Sequence, residues 1–399
     1  MGRIGIYGGS FNPPHVGHTL AMREMVRALD LDRLILIPAL APPHKKLESG
    51  SPDAETRLEM LRLATEGMER VVIDDQELRR DGPSYTSDTV HALHKRYPDD
   101  RLYLLMGTDM FLSFDSWHKP EKICRYAALA VVHRETADPA LTGKMQEQAK
   151  KLRKQFDAEV VVLDNQVEDM SSTETRRMLH FQCADTYLAP RLLEYIRQKG
   201  LYGTAENWKN LPFEQLRKIS LSLHNPKRVP HVIGCCETAA RLARRWGADE
   251  AIAARCGILH DVTKALGKRA QLLLCEKYGI MTNAFERENY KLLHSRTGAA
   301  VARHIFGECD EVYDAIYWHT TGKANMTLME KILYISDYME PQRSFDGVET
   351  LRELTERDLD AALLCGFEMS IALLESEGKA LDRYTVEARD YLQSERTKE

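Results

Sequence analysis

Two sets of residues in this chain have types and spacings that could do chemistry. The first runs from Gly8 to His18, as Gly-Gly-Ser-Phe-Asn-Pro-Pro-His-Val-Gly-His. Gly8 and Gly9 lack the Cβ atoms that would keep phosphate oxygens off the backbone, and the N–H groups of a following helix start carry partial positive charge, so an anion is favoured there. His15 and His18 add imidazole donors at the same place. The second set lies far downstream: His231, the dipeptide His260-Asp261, then His294, His319 and Asp337. His and Asp suit iron, manganese or zinc, and an adjacent His-Asp pair lets one segment donate two ligands. Asp337 falls within the apolar run Ile332 to Tyr338, where a lone charge is costly and a charge shared with a metal is not.

Further candidates occupy loops between these sets. Pro42-Pro43-His44-Lys45-Lys46 is a stiff turn that delivers cationic side chains, of which Lys45 suits a triphosphate or an acceptor phosphate. Gly82-Pro83-Ser84-Tyr85-Thr86 precedes a helix for which Thr86 or Ser87 is a fitting N-cap, leaving N–H groups for a carboxylate or amide. Gly107-Thr108-Asp109 puts an acid at a strand end, able to hold a ribose hydroxyl or a metal, and Trp117 can stack on a flat heterocycle. In the stretch Asp169 to Arg177, Ser171 and Glu174 have the spacing of a capping box, while Ser172, Thr173 and Arg176 remain for a second anion site at a helix start. Two anion sites suggest a nucleoside triphosphate gripped at both ends. The first loop is neither a P-loop nor a dinucleotide fingerprint, since no Gly-Lys-Ser/Thr follows and Gly-x-Gly-x-x-Gly is absent.

The elements that must position these residues differ between the halves. From Arg3 to about Tyr202, strand-like and helix-like patterns alternate, which predicts a parallel α/β sheet of Rossmann-like type covered by helices. Strands are expected at 3–7, 33–37, 71–73, 101–105, 127–132 and 159–163. Helices are expected at 19–29, 52–66, 86–96, 142–156 and 174–180. Leu188 to Gly200 reads as a last helix with Pro at its start and Gly past its end. After Phe213 helical periodicity dominates, over 213–223, 231–246, 250–259, 268–278, 294–306, 310–318, 327–339 and 358–377, so an all-α bundle is expected. The partition is therefore 1–203, a short tether at 204–212, and 213–399.

Composition bounds the reading. At 399 residues, 43% hydrophobic and 29% charged, the chain is too long for one typical domain. A net charge of −5 argues against general nucleic-acid binding, so a polyanionic substrate must meet local cations or metals. The eight cysteines form no Cys-x-x-Cys pair and the start of the chain reads as a strand rather than a signal peptide, so a reduced, cytoplasmic protein is expected. Cys235-Cys236 reads as small apolar residues on a helix. No run is long enough for a membrane span. Composition is compatible with a monomer or a homo-oligomer.

Taken in order, the motifs of residues 1–203 resemble those of bacterial nicotinate-nucleotide adenylyltransferases, within the His-x-Gly-His nucleotidyltransferase superfamily. The shared pieces are the Gly8 to His18 loop, Pro-Pro-His-Lys, Gly-Pro-Ser-Tyr-Thr, Gly-Thr-Asp, Trp-His and Ser-Ser-Thr-x-x-Arg. The resemblance implies AMP transfer from Mg²⁺-ATP to nicotinate mononucleotide, giving deamido-NAD and pyrophosphate. It implies an ATP site of Gly8, Gly9, Ser10, Phe11, His15, His18, Gly107, Asp109, Ser172, Thr173 and Arg176. The nicotinate nucleotide then meets Asn12, His44, Lys45, Tyr85, Thr86, Trp117 and Arg134. His15, His18, Lys45 and Arg176 carry catalysis by placement and charge neutralisation, because the acceptor phosphate needs no base. Met170 and His133 depart mildly from the family pattern.

The order His, His-Asp, Asp in the second half resembles the HD-domain metal phosphohydrolases. Lys-Arg-Val-Pro-His at 227–231, His-Asp-x-x-Lys at 260–264, His-Thr-Thr-Gly-Lys at 319–323 and Ser-Asp-Tyr-Met-Glu-Pro-x-Arg at 336–343 look like the HD-type symmetrical bis(5′-nucleosyl)-tetraphosphatases. That likeness implies hydrolysis of diadenosine tetraphosphate to two ADP with iron, two ions, or Mn²⁺. The ligands would be His231, His260, Asp261, His294, His319 and Asp337, with Lys264, Lys323 and Arg343 on the phosphates and Lys264 and Arg343 assisting catalysis. Competing readings are adenylyl transfer to nicotinamide mononucleotide or phosphopantetheine in the first half. In the second half they are another nucleotide hydrolase or a silent nucleotide-binding regulator.

Overall fold

The computed structural model describes residues 2–40, 50–80, 82–132, 139–163 and 170–397. They divide into two compact units, Met1–Glu206 and Asn207–Glu399. Within the stretch 204–212, Thr204 is bonded to Leu201 and Ile196 of the first unit. Trp208 stacks on Phe306 and the Asn210 N–H donates to Phe306 O, both within the second unit.

The first unit runs β1 (Arg3–Gly9), α1 (Val16–Ala28), β2 (Arg33–Pro38), α2 (Ala54–Ala64), β3 (Val71–Ile73), α3 (Thr86–Arg96), β4 (Arg101–Gly107), α4 (Thr108–Leu112), α5 (Pro120–Tyr126), β5 (Ala127–Val132), α6 (Pro139–Phe156), β6 (Val160–Leu163), α7 (Ser172–His180) and α8 (Pro190–Gln198). All strand pairings are parallel, in the order β3-β2-β1-β4-β5-β6. The winding reverses between β1 and β4. Side chains alternate between two apolar layers, as a period of two requires. Ile4, Ile6, Leu102, Leu104 and Leu129 pack with α3 and α6 residues, whereas Leu34, Leu36, Leu105 and Ala130 pack with Met22 and Met25 of α1. Gly5 lets α1 approach the sheet, since a Cβ there would lie 2.9 Å from the Met25 methyl and 2.5 Å from Leu31.

Several boundaries differ from the sequence expectation. Helix α1 starts at Val16, so His18 belongs to its first turn rather than preceding it. The N-cap of α3 is Tyr85, not Thr86 or Ser87, because Tyr85 keeps extended dihedrals while its carbonyl already accepts from Asp88 and Thr89. The short α4 and α5 escape periodicity because five and seven residues hold too few turns to show it.

The second unit is helical throughout: α9 (Phe213–Leu223), α10 (Val229–Trp246), α11 (Glu250–Leu259), α12 (Lys268–Lys277), α13 (Ala284–Glu288), α14 (Leu293–Val301), α15 (Asp310–Trp318), α16 (Leu328–Met339), α17 (Val348–Thr355), α18 (Leu359–Ser376) and α19 (Arg383–Arg396). The expected helix 294–306 is α14 followed by one π turn, Ala302–Phe306, closed by Gly307 at φ 76°. α10 and α11 approach closely at Gly257, where a Cβ would sit 2.5 Å from the Cys236 Cα. Cys235 and Cys236 are buried at this contact and all eight cysteines are unbonded, in line with small packing residues. Among the described residues no helix is long and apolar enough to cross a membrane.

Candidate functional sites

In open α/β sheets, ligands sit beyond the C-terminal strand ends where the winding reverses. The loop after β1 and Gly107 at the end of β4 flank that point. Tyr7, His15, His18, Met106, Gly107 and Met170 line a cleft there. His15 is the N-cap of α1, and His18 turns back so that its Nδ1 accepts the His15 N–H at 3.1 Å, bringing the ring centroids to 3.7 Å. Gly17 makes this possible, because a Cβ would stand 3.0 Å from His15 Nδ1 and 3.2 Å from the Met170 Cβ. The missing Cβ of Gly9 also makes room for the Phe11 ring, 3.1 Å away, whereas a Cβ at Gly8 would meet Ile37 O at an ordinary 3.9 Å.

The two stretches expected to bind anions lie side by side. Ser171 caps α7 through its bond from the Glu174 N–H. Ser172 Oγ donates to Pro13 O at 2.9 Å, and Arg176 donates to Asn12 O at 2.6 Å and to Thr173 Oγ1 at 3.1 Å. The first turn of α7 is thus fastened to the loop after β1, 159 residues earlier in sequence. Asn12 is 4% exposed, with its amide donating to Ser51 Oγ and accepting from the Tyr202 hydroxyl. Phe11 is 1% exposed and edge-on to Tyr7, so the Phe11 and Asn12 side chains are packed in the interior rather than lining the cleft. Asp109 is exposed in the first turn of α4. Trp117 is half-buried against Phe114, and Tyr85 stacks on His118 with centroids 4.1 Å apart, joining the loops before α3 and α5. His44, Lys45 and Arg134 lie outside the described residues.

Sequence reasoning missed Arg57. It is 1% exposed and donates to Ser10 O, Ala39 O and Leu40 O at 2.8–2.9 Å, tying the ends of the loops after β1 and β2 together. Burial lowers its pKa. An Arg within a helical pattern reads as surface, so the sequence carries no signal for it.

In the second unit all six expected ligands converge. His231 is in the first turn of α10, His260 and Asp261 follow α11, His294 is in α14, His319 follows α15, and Asp337 is in α16. His231 Nε2 lies 3.2 Å from Asp337 Oδ1, 3.3 Å from His260 Nε2 and 3.7 Å from Asp261 Oδ2. On the other side, Asp261 Oδ1 lies 3.1 Å from His294 Nε2 and 3.8 Å from His319 Nε2, and those two nitrogens are 3.2 Å apart. Asp261 therefore faces one ligand group with each oxygen.

The opposite ring nitrogens explain the convergence. Nδ1 of His260, His294 and His319 lies against the carbonyl three residues earlier, at Gly257, Lys291 and Ile316, and His231 Nδ1 lies 3.0 Å from Glu340 Oε1. These oxygens only accept, so each Nδ1 donates and each Nε2 of a neutral ring presents a lone pair. Lone pairs and carboxylate oxygens at 3.1–3.9 Å repel one another unless a cation or shared protons lie among them. The donor set thus fits divalent metal, and two overlapping groups, His231-His260-Asp337 and His260-Asp261-His319, have ligand atoms close enough to hold an ion.

The charges in the cluster are coupled: burial lowers His260, but Cys235 and Asp261 outweigh it and hold the ring well above the ordinary imidazole range. Burial alone raises the carboxyl pKa values, yet His260, His294 and His319 hold Asp261 well below the carboxylate range, and His231 and His260 with Arg343 do so for Asp337. Burial, reinforced by Lys264, pushes His294 down to about 4, and burial lowers His319. Three cations stand at the rim: Arg228 Nε donates to Asp261 Oδ2 at 2.7 Å, Lys264 Nζ is 3.0 Å from His294 Nε2, and Arg343 donates to Asp337 Oδ1 at 2.6 Å. Lys323 instead pairs with Glu330 at 2.8 Å. Arg228 and Glu340 were missed, although each lies three residues from a ligand, the spacing that shares a helical face.

Comparisons with known proteins follow the same division. The family described as Cytidylyltransferase-like matches residues 6–178, and the HD domain matches residues 228–342. A probable nicotinate-nucleotide adenylyltransferase of Borreliella burgdorferi is 34% identical over 201 residues, which is 50% of this chain and 96% of that protein. One from Gemmatimonas aurantiaca is 36% identical over 203 residues, covering 50% and 92%. Among solved structures, a predicted HD superfamily hydrolase involved in NAD metabolism from Clostridium acetobutylicum is 35% identical, covering 46% of this chain and 98% of that one at TM-score 0.45. Nicotinic acid mononucleotide adenylyltransferase of Plasmodium falciparum is 18% identical, covering 51% and 98% at TM-score 0.41. Through its first half the chain belongs to the nicotinate-nucleotide adenylyltransferase family, and it carries an HD domain in its second.

Proposed function

We propose that the first unit transfers AMP from ATP to nicotinate mononucleotide and that the second hydrolyses diadenosine tetraphosphate symmetrically to two ADP. For the first unit, support comes from the family membership and from the two helix starts fastened together at the strand-order reversal. An oxygen of the acceptor phosphate attacks the α-phosphorus of ATP, the bond to the β-phosphate oxygen breaks, and pyrophosphate leaves. The nucleophile is already anionic, so the residues act by position and charge. His15 and His18 hold one part of the triphosphate. Ser172, Thr173 and Arg176 hold another. Tyr85, Thr86 and Trp117 take the nicotinate end, with His118 supporting Tyr85. Mg²⁺ arrives with ATP.

For the second unit, the observation that carries the reading is the convergence of four Nε2 atoms and two carboxylates around Asp261. His231, His260, Asp261 and Asp337 would hold one divalent ion, and His294, His319 and the other oxygen of Asp261 a second, with iron or manganese suited to such donors. Metal there supplies Lewis acidity and a nucleophile at neutral pH. Arg228, Lys264 and Arg343 are placed to hold phosphate charge around the central bridge, across which water adds to give two ADP.

Chromatography of nucleotides after incubation with diadenosine tetraphosphate and iron or Mn²⁺ tests the hydrolase. Two ADP per substrate is expected, whereas ATP plus AMP overturns symmetric cleavage. For the transferase, nicotinate mononucleotide should be the preferred acceptor over nicotinamide mononucleotide and phosphopantetheine, and the reverse preference rejects the assignment.

A further inference from the structure

The two ligand groups around Asp261 are not equivalent. The group at Oδ2 has two imidazoles and two carboxylates, from His231, His260, Asp261 and Asp337. The group at Oδ1 has the imidazoles of His294 and His319 and no carboxylate besides Asp261 among the described contacts. Nearby charge follows the same division. Lys264 Nζ stands 3.0 Å from His294 Nε2 and 3.6 Å from Asp261 Oδ1, adding positive charge where a second cation would lie. On the Oδ2 side Arg228, 3.1 Å from His231 Nε2, and Arg343 stand against three carboxylates, Asp261, Asp337 and Glu340, whereas Lys264 stands against Asp261 alone.

Glu340 is the less expected of these acids. It is 0% exposed and does not reach the ligand cluster. Its Oε1 is 3.0 Å from His231 Nδ1, and its Oε2 accepts the Gln342 N–H at 2.7 Å. The space for it is made by Gly234, one turn after His231 in α10, where a Cβ would collide with Oε2. The other three imidazoles have a neutral backbone carbonyl in the same position. A full negative charge on Nδ1–H makes Nε2 a stronger electron donor than a carbonyl does, and it fixes the tautomer that can ligate.

We propose that Glu340, acting through His231, makes the centre intrinsically unequal, so that the His231-His260-Asp261-Asp337 group binds a divalent cation more tightly than the His294-His319-Asp261 group. Glu340 is a positioning residue, and the inference rests on reading the cluster as a metal centre. Mg²⁺-ATP binding in the first unit is unaffected by it.

The test is a titration of the full chain, stripped of metal by chelator, with Mn²⁺ alone at fixed pH, following both heat and the signal of free Mn²⁺. Two equivalents are expected, the first at least about 10-fold tighter than the second. Glu340→Gln keeps the shape and a hydrogen-bond acceptor but removes the charge. It should weaken the first equivalent about 10- to 100-fold and leave the second within about threefold. Lys264→Met should tighten the second equivalent relative to the first. If Glu340→Gln does not give folded protein by circular dichroism, Gly234→Ala, which displaces the carboxylate without removing it, is read in the same way. Two equal equivalents in the wild type, or a Glu340→Gln variant in which both or neither weaken, would overturn the inference while leaving the metal centre standing. A wild-type chain that takes up no Mn²⁺ would reject the metal centre and the inference together.

Discussion

In the first unit the groups placed at the candidate site are a few side chains and the start of α7, carried on loops at strand ends. In the second they are six side chains from five helical segments, with the four imidazoles each fixed from behind by a bond to Nδ1. The first arrangement suits a large, flexible polyanion that needs many weak contacts and an open cleft. The second suits a small multivalent cation, which demands close donors in a dry surround: His260 and Asp261 are 0% exposed, and His294 and His319 are 2%. Each kind of site is vulnerable in its own way, since the loop site depends on what braces its loops and the buried cluster on every ligand at once.

The sharpest break is Asp261→Asn. Asp261 faces both ligand groups, so its loss should remove Mn²⁺ binding and abolish phosphohydrolase turnover. Adenylyl transfer should stay unchanged, and a parallel loss would contradict independent chemistry in the two units. Next, His18→Ala should lower kcat for adenylyl transfer by about 10²- to 10³-fold, since it removes a donor meant for developing phosphate charge. Thermal melting of that variant should fall by only about a few degrees, because the ring also accepts the His15 N–H at the start of α1; a near-normal kcat rejects the role.

The brace is probed by Arg57→Leu. Three partly buried carbonyls lose their donor and the loops lose their brace, so chemical denaturation should report a first unit less stable by about 2–4 kcal/mol. The second unit's Mn²⁺ binding should be unmoved. The smallest effect concerns pH. Burial pushes His180, in α7, down to about 4 from the ordinary 6.5. Between those values the unfolded chain binds a proton that the folded one refuses, so stability falls as pH drops from about 6.5 to about 4 and this contribution levels off below. Denaturant midpoints across that range should flatten in His180→Gln; an unchanged slope would show that His180 is not the group responsible.

Most of the architecture was legible in the sequence. All six strands lie where β-branched and apolar runs place them, and α9 and α11 coincide with their periodic segments. The six metal-ligand candidates were legible as well, because His and Asp beside or inside apolar helices have few other physical reasons to be there. Less legible were the residues that act through others. Arg57, His118, Arg228 and Glu340 are ordinary polar residues in their local windows, and their partners lie 47 residues away for Arg57 with Ser10 and 109 for Glu340 with His231. The packing reason for Gly9 was not legible either, since nothing local shows that the Phe11 ring folds back over it.

The sequence by itself determined residue types, periodicities and their order: an α/β half with Gly- and His-bearing loops at strand ends, then a helical half with the His, His-Asp, Asp order of an HD domain. Only the tertiary structure decided that α7 is fastened to the loop after β1 by Ser172 and Arg176. It alone divided the ligands between the two oxygens of Asp261 and set a buried carboxylate behind one imidazole and carbonyls behind the other three. The physical reason is that periodicity and capping act within a few residues along the chain, whereas lone-pair direction, desolvation and charge balance depend on distances across it. Those distances are set when distant segments pack.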